Sequence, residues 1–144
     1  MNKKPFLALA ILFFSFNLFA QTSASPAKAQ HRVVLQLSSN DTLVWKGLIN
    51  NIKNLKNAWG DSVLIEVVAH GPGIEFLVRD KTTQQERITY FKSKGVEFAA
   101  CENTMAVRNI SKADIIAEAG FVKSGVGELI LKQEQGWSYL KIGF

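Results

Sequence analysis

Three polar clusters in this chain carry the side chains most able to do chemistry, and each follows a run of apolar residues. The clusters are Ser38-Ser39-Asn40-Asp41, His70-Gly71-Pro72-Gly73 and Cys101-Glu102-Asn103. If the apolar runs are parallel strands, their carboxyl ends meet at one edge of the sheet, where α/β proteins bind ligands. The sequence therefore predicts one site that combines a thiol, an imidazole and small polar side chains.

Cys101 is the only cysteine of the chain and its strongest candidate nucleophile. The thiolate is the reactive form of cysteine, and a position between a strand and a helix favours it through free backbone N–H groups and the helix dipole. Glu102, the next residue, opposes this effect by like charge. His70 is a candidate base or hydrogen-bond partner for the thiol. Cys101 and His70 are therefore the predicted catalytic residues.

Three further side chains are candidate substrate-binding residues. Asn103 lies two residues after the cysteine, and Ser39 and Asn40 follow the first strand. Amide and hydroxyl groups both donate and accept hydrogen bonds, so these residues are suited to contact a polar substrate.

No resident metal or cofactor is expected. One cysteine and two histidines, His31 and His70, fall short of the usual zinc ligand sets. The chain contains neither G-x-S-x-G nor a Walker sequence, and its glycine pairs lack the full dinucleotide-binding spacing. An ordinary hydrolase and a nucleotide-dependent enzyme are therefore disfavoured.

Apolar runs and amphipathic segments alternate along the chain, and they must position these residues. Strands are predicted near 32–37, 62–69, 96–101, 120–122 and 137–142, with helices between them. Strands that alternate with helices indicate a parallel sheet with right-handed crossovers. We predict a three-layer α/β/α domain with a mainly parallel five-stranded sheet, of flavodoxin-like or Rossmann-like type.

The first residues are typical of a cleavable signal peptide. Lysines at positions 3 and 4 precede an uncharged apolar stretch that ends at Ala20. The stretch has roughly 14 residues, fewer than the ~20 of a transmembrane helix, and no second apolar span follows. We predict cleavage after Ala20 or Ala24, export to the periplasm, and no membrane partner after cleavage.

This interpretation divides the chain into a signal peptide over 1–20, a polar linker over 21–30 and one domain over 31–144. The formal net charge is +5, and two of the positive charges lie in the signal peptide. Lysines are scattered and acids interleave with them, whereas nucleic-acid-binding proteins usually carry a basic stripe. No nucleic-acid partner is therefore predicted.

The residues alone leave the role of Cys101 open. A lone cysteine is often a small buried apolar residue. Export to an oxidising compartment, and a position at the end of a buried strand, favour a reactive thiol instead.

Three segments resemble the DsrE/DsrF-like family. They are 95–105 (GVEFAACENTM), 120–129 (GFVKSGVGEL) and 133–139 (QEQGWSY). The likeness covers essentially the whole predicted domain, including the turn at His70. It implies a three-layer α/β fold and assembly into trimers or hexamers.

The best understood members of that family are sulfur-relay proteins, in which a cysteine after the third strand accepts sulfane sulfur and passes the persulfide to another protein. By motif position that cysteine corresponds to Cys101, and the hypothesis built on it here makes His70 and Asn103 its partners. The leading hypothesis is an exported protein that binds or transfers sulfane sulfur, with donor and acceptor proteins unknown. The alternatives are a non-catalytic homo-oligomeric small-ligand-binding protein that keeps Cys101 for packing, and a thiol redox sensor.

Overall fold

The computed structural model describes residues 30–143, so the predicted signal peptide and all but the last residue of the linker lie outside the described residues. The strands are β1 His31–Leu37, β2 Val63–Ala69, β3 Val96–Cys101, β4 Gly120–Val122 and β5 Ser138–Ile142. The α-helices are α1 Thr42–Trp59, α2 Gln85–Ser93, α3 Glu102–Arg108 and α4 Gly125–Glu134. Short 3₁₀ segments cover Gly60–Ser62, Gly71–Leu77 and Lys112–Asp114.

The five strands form one parallel sheet in the order β4-β3-β2-β1-β5. In its register Leu37 pairs with Ala69, and Ala69 pairs with Ala100. The carboxyl ends of β1, β2 and β3 are therefore level with one another. Helices cover both faces of the sheet, and the predicted three-layer α/β fold is confirmed.

One face of the sheet carries the larger core, beneath α1 and α2. Asp41 is the N-cap residue of α1, and its carboxylate accepts a hydrogen bond from the N–H of Leu43 at 2.8 Å. Apolar residues three and four apart then place one side of α1 in the core: Trp45, Leu48, Ile49 and Ile52 are buried. Helix α2 adds Ile88 and Phe91 to the same core.

The opposite face is covered mainly by α4. Its Leu129 packs with Val34, Val68 and Ala99 in a smaller core. Ser124 caps the helix by accepting a hydrogen bond from the N–H of Gly127 at 3.1 Å. This packing places the first turn of α4 at the carboxyl edge of the sheet.

An ion pair also joins α4 to the sheet. Lys132 of α4 pairs with Glu66 of β2, whose side chain is only 8% exposed. The Lys132 ammonium also lies 4.5 Å from the ring centre of Trp137.

Within residues 30–143, no helix is both long and apolar enough to cross a membrane.

Candidate functional site

The site centres on Cys101, which ends β3 and is also the N-cap residue of α3. Its side chain is buried, with 4% of the residue exposed. The first N–H of α4, from Gly125, donates a hydrogen bond to the thiol sulfur at 3.1 Å. The amino ends of two helices, α3 and α4, therefore meet at one sulfur atom.

Thr104 supplies a further donor. Its hydroxyl hydrogen-bonds to the Cys101 sulfur and accepts a hydrogen bond from the N–H of Gly71 at 3.0 Å. A hydroxyl that already accepts from one side is left to donate to the other. Thr104 thus connects the turn after β2 to the thiol at the end of β3.

These contacts shift the ionisation of the thiol toward the thiolate. Burial raises the pKa of Cys101, but hydrogen bonds from the Thr104 hydroxyl and from the backbone N–H groups of Thr104 and Gly125 outweigh it. The resulting pKa of Cys101 lies below its ordinary value. Hydrogen bonds and helix dipoles of this kind are what make a cysteine nucleophilic at neutral pH.

Glu102 opposes this shift less than its position in the sequence suggests. Its carboxylate pairs with the Lys112 ammonium at 2.6 Å, so a positive charge accompanies the negative one next to the thiol.

His70 lies beside Cys101, as the sequence predicted. It follows Ala69, the strand neighbour of Ala100, and parallel strands lie about 4.8 Å apart. Gly125 of α4 sits against both residues: a Cβ atom there would lie 2.9 Å from the His70 Cβ and 3.4 Å from the Cys101 Cβ. Only glycine leaves room for the α4 backbone to approach the sulfur so closely.

A hydrogen-bonded row from β5 to β2 holds the His70 ring. The Tyr139 hydroxyl donates to the Gln36 Oε1, and the Gln36 Nε2 lies 2.7 Å from the His70 Nε2. With the Gln36 amide in this orientation, its nitrogen donates to the His70 Nε2, and the hydrogen-bond network assigns the ring proton to Nδ1. Burial lowers the pKa of His70 and favours this neutral ring. Within the described residues, Nδ1 forms no hydrogen bond.

The three predicted substrate-binding residues lie in different surroundings. Asn103 is exposed in the first turn of α3, and its N–H donates to the Lys123 carbonyl at 3.2 Å. The Ser39 hydroxyl accepts from the Asp41 N–H at 3.1 Å, and the Asn40 side chain hydrogen-bonds to Glu75. No hydrogen bond joins Ser39 or Asn40 to the thiol within residues 30–143.

A shallow depression of about 250 Å³ lies beside Thr104. It is lined by Gly71, Asn103, Thr104, Val107 and Arg108. Thr104 lines this depression and also hydrogen-bonds to the Cys101 thiol, while Cys101 itself is not among the lining residues. Val107 is 84% exposed and gives the depression an apolar side.

Sequence reasoning missed four contributors: Thr104, Gly125, Gln36 and Tyr139. Thr104 stood in the cysteine motif without an assigned role, and Gly125 followed a recognisable N-cap. No sequence signal marked Gln36 or Tyr139, since their contact depends on β5 lying beside β1. Among residues 30–143, no group of three or more His, Cys, Asp or Glu side chains is placed to hold a metal ion.

The fold and site together define a parallel three-layer α/β protein with one cysteine at a strand end beneath two helix termini. The family model described as "DsrE/DsrF-like family" matches residues 18–142. The chain therefore belongs to the DsrE/DsrF-like family.

Solved structures agree with this assignment. The chain is similar to MTH1491, a protein of unknown function from Methanobacterium thermoautotrophicum, with 33% identity over 78% of this chain and 99% of that one and a TM-score of 0.74. The ychN protein from E. coli shares the fold at 12% identity and a TM-score of 0.65, over 78% and 99% of the two chains. BT1422 from Bacteroides thetaiotaomicron also shares the fold, at 18% identity and a TM-score of 0.59, over 80% of this chain and 97% of that one. The search of curated proteins gave no match.

Proposed function

We propose that the protein binds sulfane sulfur on Cys101 as a persulfide and passes it on. The observation that carries this proposal is the convergence on one sulfur of the Gly125 N–H, the Thr104 hydroxyl and the α3 amino end. Such donors stabilise the Cys101 thiolate that attacks in the loading step and that leaves in the transfer step. Membership of a family that includes sulfur relays supports the same assignment.

The loading step with an inorganic polysulfide balances without another reactant. The Cys101 thiolate attacks a terminal sulfur of the polysulfide dianion, a new S–S bond forms, and the adjacent S–S bond breaks. The products are the Cys101 persulfide anion and a polysulfide dianion one sulfur shorter. Transfer to an acceptor thiolate is the same exchange in the other direction, with the Cys101 thiolate as leaving group.

His70 acts in this proposal as a hydrogen-bond donor. Its Nε2 lone pair accepts from Gln36, so it is not free to take a proton from the thiol. The Nδ1–H is left to donate to the outer sulfur of the persulfide. The donor or acceptor reaches this sulfur through the depression beside Thr104.

A non-catalytic binding protein is the second candidate. The 4% exposure of Cys101 favours it, because a buried thiol can serve for packing alone. The same burial counts against a redox sensor that forms an intermolecular disulfide, since the two Cβ atoms of a disulfide must approach to about 4 Å.

We also propose export to the periplasm and self-association. Support for export is the N-terminal sequence alone, which lies outside the described residues. Support for self-association is the family and a set of large apolar side chains exposed on α4 and the edge strand β5: Val126, Ile130, Leu131, Tyr139 and Leu140. The mass of the processed chain, starting at Gln21 or at Ser25, would test the cleavage site.

Intact-mass analysis after treatment with polysulfide and desalting tests the sulfur proposal. We expect the wild-type mature protein to gain one sulfur atom and Cys101→Ser to gain none. An unmodified wild-type protein would favour the binding protein, and loading that persists in Cys101→Ser would exclude Cys101 as the acceptor.

A further inference from the structure

Folding gathers cations that are scattered in the sequence into one groove between α1 and α2. We call it the α1–α2 basic groove, and its cations are Lys46, Lys53, Lys56, Arg87 and Lys94. The groove reaches Gly60, which lies before β2, and Lys94, which lies before β3. The groove therefore runs along both helices, from Lys46 in the first turns of α1 to the amino edge of the sheet, and Cys101 is not among its lining residues.

The charge of the groove is not compensated by its own residues. Asp61 is the single carboxylate among the described residues that line it. None of its five cations forms an ion pair within residues 30–143. The cations that do form ion pairs lie elsewhere: Lys81, Lys92, Arg108, Lys112 and Lys132. Like charges gathered in a concave surface raise the local concentration of anions.

The groove consists of two hollows, of about 340 and 330 Å³, that share Arg87. Tyr90 and Phe91 line the first hollow; Tyr90 is 55% exposed, and the Lys94 ammonium lies 5.7 Å from its ring centre. Amide side chains stand among the cations: Asn50, Asn57 and Gln84. Such amides can pair with the N–H and C=O groups of an extended peptide.

The length of the groove limits the size of its occupant. Lys46 and Lys56 are ten positions apart on α1, which corresponds to about 15 Å along the helix. That distance equals roughly four or five residues of extended chain. It is less than half of one turn of a nucleic-acid duplex, which is about 34 Å.

We propose that the α1–α2 basic groove binds a short, extended, acidic segment of a partner protein. Carboxylates of the segment pair with the lysines and Arg87, the groove amides contact its backbone, and Tyr90 packs against an apolar side chain. This surface is separate from Cys101, so its test does not depend on sulfur chemistry.

Fluorescence anisotropy with labelled hexaglutamate tests the proposal, with hexalysine, a short DNA duplex and anionic phosphatidylserine vesicles as comparison probes. The variant is Lys53→Glu/Arg87→Glu in the full mature chain. The matched control is Lys123→Glu/Lys141→Glu, which changes the net charge equally outside the groove. Circular dichroism checks that each variant is folded.

We expect hexaglutamate to bind the wild type and the control alike, about tenfold more weakly to the groove variant, and more weakly at high salt. No binding, or equal loss in the groove variant and the control, would overturn the proposal. Stronger binding of the duplex or of the vesicles than of hexaglutamate would also overturn it and assign the groove to nucleic acid or to a lipid surface.

Discussion

At the residue scale, the chemistry available to His70 is set by its neighbour Gln36. The amide N–H occupies the His70 Nε2 and leaves the proton on Nδ1. We predict that ¹⁵N NMR shows this single neutral tautomer in the wild type at neutral pH. Gln36→Leu removes the donor and should give a mixture of the two tautomers, while the signals of His31 stay unchanged as an internal control. The same tautomer in both proteins would show that Gln36 does not position the ring.

His70 should also make stability depend on pH. Burial lowers the pKa of His70, so the unfolded chain binds its proton at a higher pH than the folded one. Stability is therefore complete above the unfolded-state pKa and decreases as pH falls from there through the lower folded-state pKa. We predict that the urea midpoint of the wild type falls more steeply between about pH 7 and pH 5 than that of His70→Asn. If the urea midpoints of the two proteins depend on pH in the same way, the His70 ring has the same pKa in the folded and the unfolded state.

At the element scale, the position of α4 depends on the pair of Lys132 with buried Glu66. Burial raises the pKa of Glu66, and the Lys132 ammonium opposes that shift. Lys132→Met keeps the aliphatic packing over Trp137 but leaves the carboxylate without its partner. We predict a loss of about 3 kcal/mol in the free energy of unfolding, most of it recovered in Glu66→Gln/Lys132→Met.

The matched control for this prediction is Lys92→Met, which breaks the exposed pair with Glu97 and should cost at most about 1 kcal/mol. Chemical denaturation measures both values. If Lys132→Met costs no more than Lys92→Met, the ion pair does not hold α4 on the sheet.

The strands and helices could be predicted from the sequence more fully than the contacts between them. The carboxyl ends of parallel strands meet at one edge of the sheet, so the sequence predicted a shared edge for His70 and Cys101, whereas the neighbouring positions of β2 and β3 are a finding of the structure. Periodicity predicted α4 and its cap at Ser124, but not that its first N–H would reach the thiol, because helix periodicity does not fix where a helix docks. The Tyr139–Gln36 contact needed the position of β5 beside β1, which depends on the whole sheet. Likewise, the α1–α2 basic groove exists only after two helices pack together.

At the scale of the whole molecule, exposed apolar side chains on α4 bear on assembly. Ile130 is 51% exposed near the middle of the helix. We predict that light scattering after gel filtration finds a multiple of the mature chain, and that Ile130→Glu dissociates it because a buried unpaired carboxylate opposes association. Leu43→Glu, at a 70% exposed position on α1, is the control and should leave the assembly intact. A monomeric wild type would contradict this prediction.

The fold stabilises Cys101 as a thiolate, and the pH dependence of the alkylation of Cys101 by iodoacetamide measures this stabilisation. We predict that the wild-type rate rises with an inflection below the ordinary pKa of cysteine. Thr104→Val, which loses the hydroxyl donor, should shift the inflection upward and react several-fold more slowly at neutral pH, whereas Thr104→Ser should retain the wild-type profile. A wild-type inflection at or above the ordinary pKa of cysteine would show that the fold does not stabilise the thiolate.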